Sequence, residues 1–212
     1  QLIKLTIKKH KAMGRKSLLK KRKNITSKTH NWLNHLLEGL QYENLEQLTM
    51  DNIACIAGKS KSTIYEYFNS KEEILQAACQ TRTKVIFDSL LNLRQQDLDT
   101  VSLYAQLIEL FAAGTSGISL SFLQDIKQYY PTVWLVVEEF TDSFVELLKD
   151  HYTKGIKEKV YNSVSIELLG NIDKLFVTQV VTNPSIFSDD KYTLSNLIRD
   201  YLNLRLMGLL KR

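Results

Sequence analysis

The chain has 212 residues, 44% of them hydrophobic, and 28 Lys and Arg stand against 23 Asp and Glu for a net charge of +5. This is the composition of a folded globular protein, which excludes collagen-like, disordered and disulfide-scaffold classes. With only 2 prolines and 8 glycines there are too few turn signals for an all-β sandwich or barrel of this size, so long helices are expected.

The first feature along the chain is charge. Residues 1–23 hold ten Lys and Arg and no acid, and the first carboxylate is Glu38. Residues 1–17 read either as a solvated, disordered arm or as a tether for a polyanion, with nucleic acid and an anionic membrane surface as the two candidates. Met13-Gly14-Arg15-Lys16 has the form of a translation start, which would make residues 1–12 an upstream extension. The arm lacks the uninterrupted apolar stretch of a secretory signal. The most apolar run, Leu107 to Leu123, is broken by Glu109 and by small polar residues, so neither a membrane span nor a membrane partner is expected. Cys55 and Cys79 stand apart without C-x-x-C spacing, which gives no disulfide framework and fits a cytoplasmic setting.

Ile25, Thr29, Trp32, Leu33, Leu36, Leu37 and Leu40 recur at steps of three and four, so a helix is expected over about 24–40. Thr49 suits an N-cap, Asp51 a first helical turn, and Ile53, Ala54 and Ala57 form a small apolar face that Gly58 ends. Ser60 can cap a second short helix, 61–68, on which Ile64 and Phe68 lie four apart. Ser70-Lys71-Glu72-Glu73 is a capping box, with the Glu73 carboxylate expected on the amide of residue 70. From there Ile74, Leu75, Ala78, Thr81, Val85, Leu90 and Leu93 carry a long helix towards Gln95. More helices are expected at about 100–113, 118–129, 132–153, 164–182 and 190–210, with Pro131 in a first turn and Pro184 in the last loop. Val133 to Val137 could pass for a buried strand, but the helical spacing on through Phe140, Phe144, Leu147, Leu148 and His151 makes it helix. The fold class is therefore all-α.

Thr49–Ala57 and Lys61–Phe68, joined by a tight Gly-containing turn, have the spacing of a helix-turn-helix, whose second helix lies in the major groove of DNA. The side chains there are short or polar: Lys59, Ser60, Lys61, Ser62, Thr63, Tyr65, Glu66 and Tyr67 suit phosphates and base edges. In order, Thr49, Ile53, Ala54, Ala57, Gly58, Ser60, Lys61, Thr63, Ile64, Tyr65, Tyr67, Phe68, Ser70, Lys71 and Glu72 strongly resemble the DNA-binding domain of TetR-family transcriptional regulators. More loosely, Tyr129-Tyr130-Pro131 with Trp134, and Lys154-Gly155-Ile156, are similar to the C-terminal regulatory domain of that family.

The resemblance implies a role for each matched position. Thr49 caps the second helix and touches a phosphate, while Lys61, Ser62 and Thr63 open the recognition helix. The hydroxyls of Tyr65 and Tyr67 reach the DNA backbone, and Lys71 at the start of the fourth helix favours a phosphate beside free helix amides. Lys59 departs from the usual small apolar residue; either it adds a phosphate contact or it points to water and loosens the turn. Glu66 either accepts from a cytosine amino group or faces solvent.

Cys55 reads as a small buried hydrophobe and Phe68 as core. His10, His30, His35 and His151 lack the pairing of a metal site, and no nucleophile motif or phosphate loop is present, so neither metal nor cofactor nor catalysis is expected. Helical bundles bind apolar molecules between their helices, and Phe111, Phe122, Tyr130, Trp134, Phe140 and Phe176 are candidates to line such a cavity for an unknown small-molecule effector. The last two helices carry wide apolar faces, and Ile172, Leu175, Phe176, Leu194, Leu197, Ile198, Tyr201 and Leu202 are candidates for a homodimer interface. The resemblance implies the same dimer. The expected organisation is a three-helix DNA-binding domain over 18–80 and a ligand-sensing, dimerising helical bundle over 81–212, acting as a ligand-responsive repressor on a pseudo-palindromic, double-stranded operator. The competing reading is a polyanion or membrane-surface binder that uses the basic arm alone.

Overall fold

The structure is a computed structural model that describes residues 22–183 and 193–211; the basic arm, the start motif at Met13 and the Pro184 loop lie outside the described residues. Nine α-helices and one short 3-10 turn make up the described fold: α1 (Ser27–Leu40), the turn Leu45–Gln47, α2 (Met50–Ala57), α3 (Lys61–Tyr65), α4 (Lys71–Leu93), α5 (Thr100–Thr115), α6 (Leu120–Tyr129), α7 (Pro131–Lys157), α8 (Ile166–Thr182) and α9 (Leu194–Leu209). The sole pairing of extended backbone among the described residues is one antiparallel bridge, Tyr161 with Leu210. No single described helix is long and apolar enough to cross a membrane; α5 and α6, which share the most apolar run, meet at a 68° bend.

Small polar residues set the helix starts. Thr49, Ser60, Ser70, Asp99, Ser119, Ser165 and Thr193 each accept a backbone N–H of the first turn, satisfying donors that have no partner within the helix. Pro131 opens α7, where its missing N–H costs nothing. Three expectations change. Helix α3 ends at Tyr65; beyond it the Glu66 and Tyr67 amides bond only three residues back, to the carbonyls of Thr63 (3.2 Å) and Ile64 (3.0 Å), so the last turn tightens instead of continuing as α-helix. Ser70 caps α4 as expected, but the Glu73 carboxylate takes the amide of Asn69 instead of that of Ser70, and those contacts hold its pKa below the usual carboxylate range. Val85 and Ile25 are exposed: Ile25 precedes α1, and Ile86 takes the inward position on α4, packed so tightly on Gly114 that a Cβ there would fall 2.7 Å from its Cγ1.

Helix α4 is the centre of the packing. It lies against α1 on the N-terminal side and against α5 and α7 beyond, while α5 packs on α9 and α7 on α8. The boundary expected between residues 80 and 81 therefore falls inside one continuous helix. Among the described residues, Asn34 Oδ1 is the one buried side-chain oxygen or nitrogen without a hydrogen-bond partner. Asp173, 2% exposed, accepts from the hydroxyls of Tyr152 (2.9 Å) and Tyr201 (2.5 Å) and from Nη2 of Arg205 (2.9 Å), which ties α8 to α7 and α9. His151 stacks on Tyr104 with ring centroids 5.1 Å apart and shares a 2.8 Å hydrogen bond with the Tyr161 hydroxyl.

Burial lowers the His151 pKa from 6.5 to about 4, with the charges of Lys154 and Arg94 acting in the same direction and Glu158 opposing them. The folded state therefore keeps this ring neutral while the unfolded chain takes up a proton below pH 6.5. The stabilisation from the neutral ring is present above pH 6.5 and is lost as the pH falls towards 4, a total of about 3 kcal/mol. Urea unfolding between pH 7 and pH 4.5 should show this loss, and a His151→Gln variant should lose less over the same interval; equal losses would contradict the assignment.

Candidate nucleic-acid interface and internal cavity

The α2–α3 unit is held by local bonds before any tertiary contact. Thr49 Oγ1 accepts from the Asn52 amide at 3.2 Å, and the Asn52 side chain accepts from the Thr49 amide at 3.0 Å. Gly58 ends α2 in the left-handed conformation, at φ 60° and ψ 36°. The Gly58 and Lys59 amides close the turn on the carbonyls of Cys55 (3.1 Å) and Ala54 (3.0 Å). Ser60 Oγ takes the Thr63 amide at 3.1 Å and lies 2.8 and 2.9 Å from the Ser62 and Thr63 hydroxyls. Ile64, fully buried, and Phe68, edge-on to Trp32 at 5.9 Å, pin α3 to the core from one side. The opposite side faces water.

That outer side carries Lys59, Ser60, Lys61, Ser62 and Tyr65, all exposed, with Thr63 and Tyr67 half-buried. Lys61 Nζ lies 2.8 Å from Asp51 on α2, and this carboxylate raises the Lys61 pKa. The pair is exposed, so exchanging Asp51 for a phosphate would cost little. Lys59 is exposed while its amide closes the turn, so the substitution does not loosen the turn. Lys71 donates to the Leu48 carbonyl and so fastens the start of α4 beside the Thr49 cap, leaving further N–H donors on its ammonium group. Glu66 is neither free nor turned to a base: Lys23 Nζ reaches it at 2.6 Å and the Lys23 amide bonds its carbonyl at 3.0 Å. Arg22 pairs with Glu73 at 3.0 Å, so the chain that follows the basic arm is fixed beside α3. Cys55 is exposed, contrary to expectation, because Ile53 and Ala57 take the inward side of α2; Cys79 is the buried thiol, with its pKa pushed up to about 12 by burial.

Residues 40–78 match the family profile described as bacterial regulatory proteins, tetR family. This segment, which holds α2 and α3, is thus similar to the DNA-binding segment of that family. A relative in Bacillus subtilis strain 168, the uncharacterized HTH-type transcriptional regulator YvaF, is 24% identical over 95 residues, covering 43% of this chain; the match spans about half, 49%, of that relative. Among solved structures, the fatty acid degradation regulator FadR from Bacillus halodurans superposes with a TM-score of 0.66 at 21% identity, over 90% of this chain and 100% of that one. The TetR-family regulator PfmR from Thermus thermophilus gives 0.63 at 22% identity, over 85% and 99%. The TetR-type fold thus extends through the C-terminal helices.

Behind the TetR-type head lies an apolar cavity of about 90 Å³, bounded by α1 and by α4 to α9. Phe111, Phe122 and Phe140 line it as expected, and Leu37, Cys79, Arg82, Ile86, Val137 and Val181 complete much of the wall. The other three aromatic candidates lie elsewhere. The Tyr130 hydroxyl donates to the Leu45 carbonyl at 3.1 Å, bracing the α6–α7 corner against the N-terminal domain. Trp134 donates to Glu138 at 2.7 Å under the ammonium of Lys127, in a separate cavity of about 190 Å³. Phe176 stacks on Tyr201 at 3.9 Å beside Asp173. The sequence did hold a sign of Arg82, the one charged residue between Glu73 and Lys84. Among the described residues, no three His, Cys, Asp or Glu side chains gather as a metal site.

The dimer candidates divide in the same way. Leu194, Leu197, Ile198 and Leu202 are buried inside the protomer, where α9 packs on α5, so they are unavailable to a partner. Phe176 and Tyr201 are half-buried. Ile172 and Leu175 are exposed, and with Leu168, Leu204 and Met207, which were not anticipated, they form an outward apolar face on α8 and α9.

Gly58 yields a direct test of the turn. A Cβ there meets nothing within 4 Å, so the cost of Gly58→Ala is that of the backbone conformation alone, about 1 kcal/mol. Urea unfolding should show a lower midpoint with unchanged slope; an unchanged midpoint would contradict the left-handed turn.

Proposed function

We propose that this chain is a sequence-specific, DNA-binding transcriptional regulator that acts in the cytoplasm as a homodimeric, ligand-responsive repressor. The supporting observation is the exposed outer side of α3, short, polar and braced by a doubly capped α2, within the segment that matches the tetR profile. Residues 18–80 form the DNA-binding domain, and residues 81–212 the sensing and dimerising domain. Thr49, Lys59, Lys61, Tyr65 and Lys71 serve the phosphates, while Ser62 and Thr63 approach base edges. Tyr67 is packed at 6.2 Å from Phe68, and its hydroxyl serves the backbone from the edge of the interface.

Two copies meet through the outward sides of α8 and α9, because the exposed apolar side chains of Leu168, Ile172, Leu175, Leu204 and Met207 are costly to leave in water. That pairing presents two copies of α3 to successive major grooves, about 34–36 Å apart on a pseudo-palindromic site. An effector in the apolar cavity releases DNA to the extent that it binds the non-reading geometry better than the reading one.

Selection from random duplex DNA should enrich a palindromic site bound roughly a thousandfold above random sequence. On that site, Lys61→Ala should weaken binding about tenfold and lower the salt slope by about one unit while leaving thermal stability unchanged. Salt-sensitive binding with no enriched site, or an unaltered slope for Lys61→Ala, would contradict the assignment.

A further inference from the structure

Arg82 is set apart from the other arginines of the structure. Arg22, Arg94, Arg199 and Arg205 each lie within 3.3 Å of a carboxylate, on Glu73, Asp150, Glu109 and Asp173 respectively. Arg82 has no carboxylate partner among the described residues. Its Nε donates to the Gly114 carbonyl at 2.9 Å and its Nη2 to the Ser116 carbonyl at 3.2 Å, and these bonds hold the guanidinium at the end of α5 while Nη1 remains open. The group is half-buried. It is also the one charged side chain in the wall of the apolar cavity, whose hydroxyls on Thr83, Thr115 and Thr141 are already donated to carbonyls of their own helices.

A fixed, partly desolvated cation with open donors, at the edge of a cavity that is otherwise hydrocarbon, is complementary to one kind of molecule. We propose that the effector of this chain is an apolar monocarboxylate, its hydrocarbon body packed among Phe111, Phe140 and Ile86 and its carboxylate on Arg82. This rests on the reading of the chain as a ligand-responsive regulator and specifies its ligand class. The planar guanidinium, with Nε and one Nη2 hydrogen committed to carbonyls, retains Nη1 hydrogens for the carboxylate oxygens. An alcohol of the same shape forgoes the charge-assisted bond, and an amine places like charge against Arg82. Because Arg82 lies on α4, the helix whose first residue adjoins the α2 cap, the carboxylate engages the element that carries the reading head.

The test uses the full chain, and its ligand titrations need no DNA. Straight-chain carboxylates of six to fourteen carbons, the matching primary alcohols and the matching amines are titrated calorimetrically into the protein. At least one acid should bind tenfold or more tightly than its alcohol, and the amine should not bind. Arg82→Gln should abolish the preference for the acid over the alcohol, while Arg82→Lys should retain part of it, and both variants should keep the wild-type affinity for the selected operator in the absence of ligand. Absence of binding by every acid, equal binding of acid and alcohol, or an undiminished preference in Arg82→Gln would overturn the proposal. If the acids bind as expected but no operator can be selected, the regulator reading fails while the ligand assignment stands.

Discussion

Helix α4 buries one face along nearly its whole length, and the helices on either side take their positions from that burial. At 23 residues it spans about 34 Å. Its first turns, with Ile74, Leu75 and Ala78 inward, pack on α1 and hold the reading head; its later turns, with Ile86, Leu90 and Leu93 inward, pack on α5 and α7. A helix packed at both ends moves as one body, since removing several buried aliphatic side chains from contact would cost several kcal/mol. The N-terminal helices and the cavity therefore share a common frame.

A second connection runs parallel to it. The Tyr130 hydroxyl holds the Leu45 carbonyl, the Gln41 side chain accepts the Ser119 amide at 2.8 Å, and Thr132 donates to Glu72. These bonds join both ends of α6 and the start of α7 to the N-terminal helices, and α6 also supplies Phe122 and Leu123 to the cavity wall. On the proposed reading, an occupant that pushes on the wall would act on α4 and α6 together, and these pack on α1 and on the Leu45–Gln47 turn respectively. Small residues keep these layers close: at Gly114 the approach of Ile86 leaves no room for a side chain.

What the sequence disclosed follows from the range of the forces involved. Caps and turns are local, so Thr49, Gly58, Ser60 and Ser70 could be placed from their neighbours alone, and the helix pattern followed from apolar spacing. The capping partner of Glu73 could not, because Asn69 and Arg22 compete for the same carboxylate and one of them is 51 residues away. What covers the apolar side of α9 is illegible in the sequence for a related reason. Leu194, Leu197, Ile198 and Leu202 form a good amphipathic stripe, but a stripe does not say whether α5 or a second chain covers it. Aromatic rings suit both cavity walls and braces, and for Tyr130 only its hydrogen-bond partner, the Leu45 carbonyl, separates the two roles. Arg82 shows the opposite case, a lone charge in an apolar stretch whose meaning appears once the cavity beside it is known.

The central claim is that α4 fixes two reading heads at one separation in a dimer. Cys55 is exposed on α2 next to α3, and Cys79 is buried, so a nitroxide label should attach to the head alone. Dipolar electron resonance between the two labelled Cys55 residues of the operator-bound protein measures the separation directly. A single narrow distribution in the range set by half-sites one helical turn apart, about 35 Å, is the predicted result. A broad distribution would mean that α4 does not fix the heads, and no dipolar signal would mean that one chain binds alone.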